Sequence, residues 1–209
     1  MPLLQKNQSP LWGIWKIEEN CDALLRQLKN PEAYLPFLNR FKSESRKSEW
    51  LAVRVLLKEL TGSDMAIVYK DSGAPYLQDS DLHISISHTK CFAAVIISPD
   101  QSVGIDIEYR SERIHRIKSR FLCKEEFELL GSNPATDDLL VFWSAKETVF
   151  KMIGQTTADT QNDIHIIDFK ASSCDRGILI VQESLTSQSM TFQVNYFITP
   201  DFVLTHSSY

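Results

Sequence analysis

Trp143-Ser144-Ala145-Lys146-Glu147-Thr148-Val149-Phe150-Lys151 is the stretch on which the reading of the fold turns. It sits in a helical pattern over residues 137–153, closed by Gly154. A second pattern of the same kind runs over residues 43–60, with Trp50, Val53, Leu56, Leu57 and Leu60 at helical spacing and Gly62 as its stop. Laid over one another, the two helices match Trp50 with Trp143, Ala52 with Ala145, Arg54 with Glu147, Leu57 with Phe150 and Lys58 with Lys151. Helical periodicity alone supplies part of that agreement. The remainder, with strands following each glycine, points to internal duplication. The expected fold is therefore α+β: two pseudo-symmetric α/β halves, residues 1–102 and 103–209, with the active site in a cleft between them.

Outward from the two helices, the pattern is mostly strand. Residues 11–17 alternate loosely as an opening strand. A short helix over 22–28 is interrupted by Asn30-Pro31. Strands are expected at 67–70, 82–87, 92–97 and 103–108, with turns at 71–75, 88–90 and 98–100. In the second half a basic connection spans 111–120, and a helix over 124–130 is closed by Gly131. Four further strands are expected at 164–169, 177–181, 191–198 and 202–207.

Composition narrows the class. The chain has 209 residues, 43% of them hydrophobic, enough for a well-packed core. Its net charge of −5 argues against nucleic acid as a partner, since tracking a phosphate backbone takes a basic excess. Any phosphate ligand must then be held by local basic residues. Cys21, Cys91, Cys123 and Cys174 form no C-x-x-C pair and read as reduced, mostly buried thiols. The first ten residues lack the apolar core of a signal peptide, and no apolar run approaches the ~20 residues of a membrane span. The expectation is a cytoplasmic protein with no membrane partner.

Val103-Gly104-Ile105-Asp106-Ile107-Glu108 alternates apolar and acidic side chains. On a strand, Gly104, Asp106 and Glu108 share one face and Val103, Ile105 and Ile107 the other. Two carboxylates side by side repel unless something positive neutralises them, and a hard divalent cation does so well. A solvated strand face is the alternative. Glu147 and Lys151 lie one turn apart on the same helix face. They make either a surface ion pair or, on a helix as apolar as this one, partners for a metal and a phosphate. Lys146 points about 100° away from Glu147, toward a ligand or toward solvent.

The two motifs in this order and spacing, GIDIE and then WSAKETVFK, resemble the 4′-phosphopantetheinyl transferases. Ile86-Ser87-His88-Thr89 is similar to that family's I-S-H-S segment, and Gly73-Ala74-Pro75-Tyr76-Leu77 to its G-K-P-x-L segment. Arg46, Lys47, Trp50 and Arg54 resemble the basic helix of its first half. Chain length and duplicated layout fit the monomeric, two-lobed type that activates peptide synthetases. Ala74 stands where the family commonly has a lysine that helps bind coenzyme A, so that role is weakened or passes to Lys70 or Lys90.

The resemblance implies a holo-[acyl-carrier-protein] synthase. Such an enzyme transfers 4′-phosphopantetheine from coenzyme A to a serine of an apo acyl or peptidyl carrier protein and releases adenosine 3′,5′-bisphosphate. Asp106, Glu108 and Glu147 would hold Mg²⁺. Glu147 and Lys151 would be catalytic, as base for the serine and as counter-charge for the leaving phosphate. Ser87, His88, Arg46, Arg54 and Lys151 would contact coenzyme A. Phe121 and Leu122 are candidates for an apolar patch facing the carrier, and Arg110, Arg113, Arg116, Lys118 and Arg120 for docking charges. The same carboxylates would also suit a Mg²⁺-dependent phosphoester hydrolase. A catalytically silent carrier-binding homologue is the third possibility.

Overall fold

A computed structural model describes residues 2–155, 157–169 and 175–209. Cys174, one of the four thiols read above, lies outside them. The chain forms two compact units, Met1–Asp100 and Gln101–Tyr209.

The first unit contains β1 (Leu3–Gln8), β2 (Leu11–Lys16), α1 (Cys21–Leu25), a 3₁₀ turn at Pro31–Tyr34, α2 (Leu35–Leu38) and α3 (Glu44–Thr61). These are followed by β3 (Ile67–Tyr69), β4 (Pro75–Leu77), β5 (His83–Thr89) and β6 (Phe92–Ser98). An antiparallel sheet runs β1-β2-β6-β5, with β3 and β4 as a separate pair. Helix α3 lies on this sheet because Leu51, Val55, Leu56 and Leu57 form an unbroken buried stripe that meets Ala93, Val95 and Trp15. Gly62 ends the helix at φ +77°, a left-handed conformation that side chains disfavour.

The second unit repeats the plan. It contains β7 (Val103–Tyr109), α4 (Ile114–Ile117), a 3₁₀ turn at Lys118–Arg120, α5 (Lys124–Leu130) and α6 (Thr136–Ile153). Then come β8 (Ile164–Asp168), β9 (Arg176–Glu183), β10 (Thr191–Ile198) and β11 (Phe202–Ser208). All five strands are antiparallel, in the order β7-β11-β10-β9-β8. Helix α6 crosses this sheet and contacts β7 and β11 most. Like α3 it has 18 residues and ends on a left-handed glycine, Gly154. Asp137 and Asp138 in its first turn and Lys151 in its last complement the helix dipole.

Several expectations need correction. Strand β1 lies in the first ten residues, where no strand was expected; it is the outermost strand of its sheet, and its side chains alternate between half-buried and exposed. Helix α1 is shorter than expected, and its cap is Asn20, which accepts a hydrogen bond from the Ala23 amide at 2.9 Å. His88 belongs to β5, not to the turn that follows it. Of the thiols, Cys21, Cys91 and Cys123 are free, as expected, but Cys91 is exposed and the other two are only half-buried. Phe121 and Leu122 form no docking patch: both are buried among Leu139, Phe142 and Ala145. No helix among the described residues is long and apolar enough to cross a membrane.

Candidate active site

Asp106 and Glu108 project from β7 toward α6, and Glu147 and Lys151 project from α6. The two acidic motifs meet because the strand has no side chain at Gly104. A Cβ there would lie 2.4 Å from the Thr148 carbonyl oxygen, so glycine alone lets the helix rest on the strand backbone. Lys151 closes the junction. Its Nζ donates to Asp106 Oδ1 at 2.7 Å and to the Ile105 carbonyl at 3.0 Å. Trp143 is half-buried, and its indole N–H donates to Glu108 Oε1 at 2.7 Å. That bond holds one glutamate oxygen and fixes the direction of the other.

The electrostatics match the geometry. Burial pushes the Glu108 carboxyl up to about 7, and the charge of Asp106 adds to the shift; the Trp143 bond and Lys151 oppose it. Glu147 is likewise raised to about 7, by burial first and Asp106 second, against Lys151. Asp106 therefore acts on Glu108 along its own strand and on Glu147 across the junction. Three oxygen-donating acids whose mutual repulsion is only partly relieved by one lysine suit a hard cation such as Mg²⁺. They do not close into a tight cage. Among the described residues, the trio whose ligand atoms all lie within 4.8 Å of one another is Cys123, Glu126 and His165.

That trio is occupied by structural bonds. Glu126 Oε2 accepts from the Cys123 amide at 2.9 Å and from Lys146 Nζ at 2.8 Å, and Oε1 accepts from the Ile166 amide at 2.8 Å. Lys146 is fully buried and faces neither ligand nor solvent. Its Nζ also donates to the carbonyls of Phe121 at 2.7 Å and Thr160 at 2.8 Å. Burial lowers its pKa while Glu126 raises it. The ammonium ties α5 and two loops to α6.

In the first unit, Arg46 and His88 come together around a carboxylate that the sequence reading did not single out. Arg46 Nη1 donates to Glu49 Oε2 at 2.8 Å and lies 3.3 Å from His88 Nδ1, while His88 Nδ1 is 3.5 Å from Glu49. Ser87 is buried next to His88 on β5. Arg54 is turned inward: its guanidinium lies 3.1 Å from the centre of the Trp50 ring and donates to the Trp50 carbonyl at 2.9 Å. Burial lowers it to about 10, against the charge interaction with Tyr69 and the hydrogen bond that the guanidinium donates to the Tyr69 hydroxyl oxygen. Arg113, Arg116 and Arg120 are exposed, whereas Arg110 is held by both oxygens of Asp137 at 2.7 and 2.8 Å.

Comparison with known proteins adds two findings. The model of the 4′-phosphopantetheinyl transferase superfamily matches residues 102–206, a span that holds Asp106, Glu108, Glu147 and Lys151. The 4′-phosphopantetheinyl transferase HetI of Nostoc sp. (strain PCC 7120 / SAG 25.82 / UTEX 2576) is 26% identical over 166 residues, covering 69% of each chain.

Proposed function

The chain belongs to the 4′-phosphopantetheinyl transferase superfamily, and from that premise we propose that it moves the 4′-phosphopantetheine arm of coenzyme A onto a serine of an apo acyl or peptidyl carrier protein. The observation that carries this reading is the Lys151–Asp106 contact of 2.7 Å, which joins the acidic strand and the acidic helix in one site.

In this reaction the serine oxygen attacks the phosphorus nearer the pantetheine. The bond from that phosphorus to the bridging oxygen breaks, and adenosine 3′,5′-bisphosphate leaves. Asp106, Glu108 and Glu147 are the residues that would hold Mg²⁺, which neutralises phosphate charge when bound. Glu147, with a carboxyl near 7, accepts the serine proton; a base poised near ambient pH does this best. Lys151 places its ammonium against a phosphate oxygen and offsets charge on the leaving group. Arg46 and His88 hold the 3′-phosphate, displacing Glu49 from their shared contact. Ser87, on the same strand, is a further contact for coenzyme A. Arg54 is left out of the ligand set because it is buried against Trp50. The enzyme acts as a cytoplasmic monomer of the two-lobed type, and it meets its acidic carrier through Arg113, Arg116 and Arg120.

Incubation with coenzyme A, Mg²⁺ and a panel of apo carrier proteins, read by intact mass, tests the reading. A gain of one phosphopantetheine on a carrier is the expected result. Free phosphate without modified carrier would assign a hydrolase. Carrier binding without either product would assign a silent homologue.

A further inference from the structure

We propose that Thr205 is a positioning residue for the carboxylate site, its single hydroxyl fixing how the helix carrying Glu147 and Lys151 sits on the strand carrying Asp106 and Glu108. The inference rests on the metal-binding role proposed above.

Helix α6 is apolar along most of its buried surface, yet the side that meets β7 and β11 carries Ser144 and Thr148, both fully buried. Buried hydroxyls are tolerated only where they are bonded. Both converge on one atom. Ser144 Oγ lies 2.9 Å from Thr205 Oγ1, and Thr148 Oγ1 lies 2.6 Å from the same oxygen. Thr148 Oγ1 also points at the Thr205 carbonyl, 3.4 Å away. Thr205 stands opposite Asp106 in the β7–β11 ladder. The hydroxyl hub is therefore one strand away from the acid to which Lys151 is bonded.

Gly104 and the hub act together. At Gly104 the strand backbone meets the helix directly, so the helix can come no closer. At Thr205 two directional bonds, one turn apart on α6, stop it from sliding along its axis or rolling. Ser144, Thr148 and Lys151 follow one another at helical spacing on this side. A shift of the hub is passed without slack to Lys151 and to Glu147, the neighbour of Thr148. An apolar contact of the same volume would bury equal area but leave both movements soft.

Thr205→Val and Thr205→Ser separate the hydroxyl from the packing. The valine keeps the shape and removes the hub; the serine keeps the hub and loses a methyl. Binding of Mn²⁺ to the whole protein, followed by the electron spin resonance signal of the free ion, is expected to weaken about tenfold in Thr205→Val. In Thr205→Ser it is expected to stay within about twofold of the parent. The Mg²⁺ concentration for half-maximal transfer should shift in parallel. Unchanged Mn²⁺ affinity in a folded Thr205→Val overturns the proposal and leaves the hub a stability feature only. Equal weakening in the serine variant overturns it too, since the methyl would then be responsible. If Thr205→Val does not fold, Ser144→Ala decides, with a smaller weakening expected and no change overturning the proposal. Should the parent and Asp106→Ala bind Mn²⁺ alike, the metal-binding role itself falls. That result is distinct from a Thr205 effect that is merely absent.

Discussion

Glu147 stands in a place that favours its neutral form, because burial and the charge of Asp106 both raise its carboxyl. Glu147→Gln keeps the shape and removes the charge. We expect it to abolish carrier modification, read by intact mass, with an unchanged far-ultraviolet circular dichroism spectrum; turnover near the parental rate would strip Glu147 of both proposed roles. The two lysines beside it should separate cleanly. Lys151→Ala takes away a half-exposed ammonium at the reacting phosphates and should cost most of the activity. Lys146→Ala leaves the fully buried Glu126 without its ion-pair partner, a loss of about 3–5 kcal/mol by analogy with broken buried pairs. Urea titration of both variants beside their transfer rates checks the division. Lys151→Ala showing the larger stability loss would reverse the roles given to the two residues. Asp106, Glu108, Glu147 and Lys151 were legible in the sequence because their spacings, two on a strand and four on a helix, place them on shared faces. Glu126 and Glu49 were not. Nothing in Lys124-Glu125-Glu126-Phe127 says which acid turns inward, because its partner Lys146 is chosen by how α5 packs. Nor does the apolar helix around Trp143 signal that its indole N–H serves Glu108.

Strand β7 and helix α6 join where two glutamates are both shifted, so the junction's stability depends on pH with a definite sign. The ordinary value for each is 4.5, and in the folded protein each stands at about 7. Between those values the folded state holds more protons than the unfolded chain. The stability this confers is complete below about 4.5 and is lost as pH rises through about 7. His206 works the other way. Burial lowers it from 6.5 to about 4, so its contribution is lost as pH falls through that range. Above about 6.5 the glutamates act alone of the three. Thermal melts from about pH 6.5 to 8 should show Tm falling in the parent and falling less in Glu147→Gln. Added Mg²⁺ should flatten the parental slope, because the cation replaces the lost protons. Parallel slopes for parent and variant would mean that the junction does not titrate in this range. The elements themselves were read with uneven success, for identifiable reasons. Helix α5 was found from end to end because Gly131 stops it and its acids gather in the first turn. The long helices were found because an apolar stripe recurs over several turns along each 18-residue helix. Strand β1 was missed because Gln5, Lys6, Asn7 and Gln8 carry no apolar alternation, and its existence depends on pairing with β2.

Over the whole molecule, charge bears on how the proposed carrier would be met. The chain is acidic, with a net charge of −5, and the proposed partner is acidic as well, so the mean field opposes their encounter. Association must then depend on a local reversal of sign. Residues 110–120 supply one, with Arg110, Arg113, Arg116, Lys118 and Arg120 against a single acid, Glu112. Arg110 is committed to Asp137, which leaves the exposed Arg113, Arg116 and Arg120 to face a partner. This segment links β7 to α5 and lies outside the strands and long helices of its unit. Replacing the three exposed arginines with serine should raise the KM for an acidic carrier about tenfold while leaving the KM for coenzyme A within about twofold. It should also flatten the dependence of carrier KM on salt, since added ions screen charges that the variant no longer has. Steady-state transfer measured at about 50 and 300 mM salt checks both statements, and a salt slope retained in full by the triple variant would place the docking charges elsewhere.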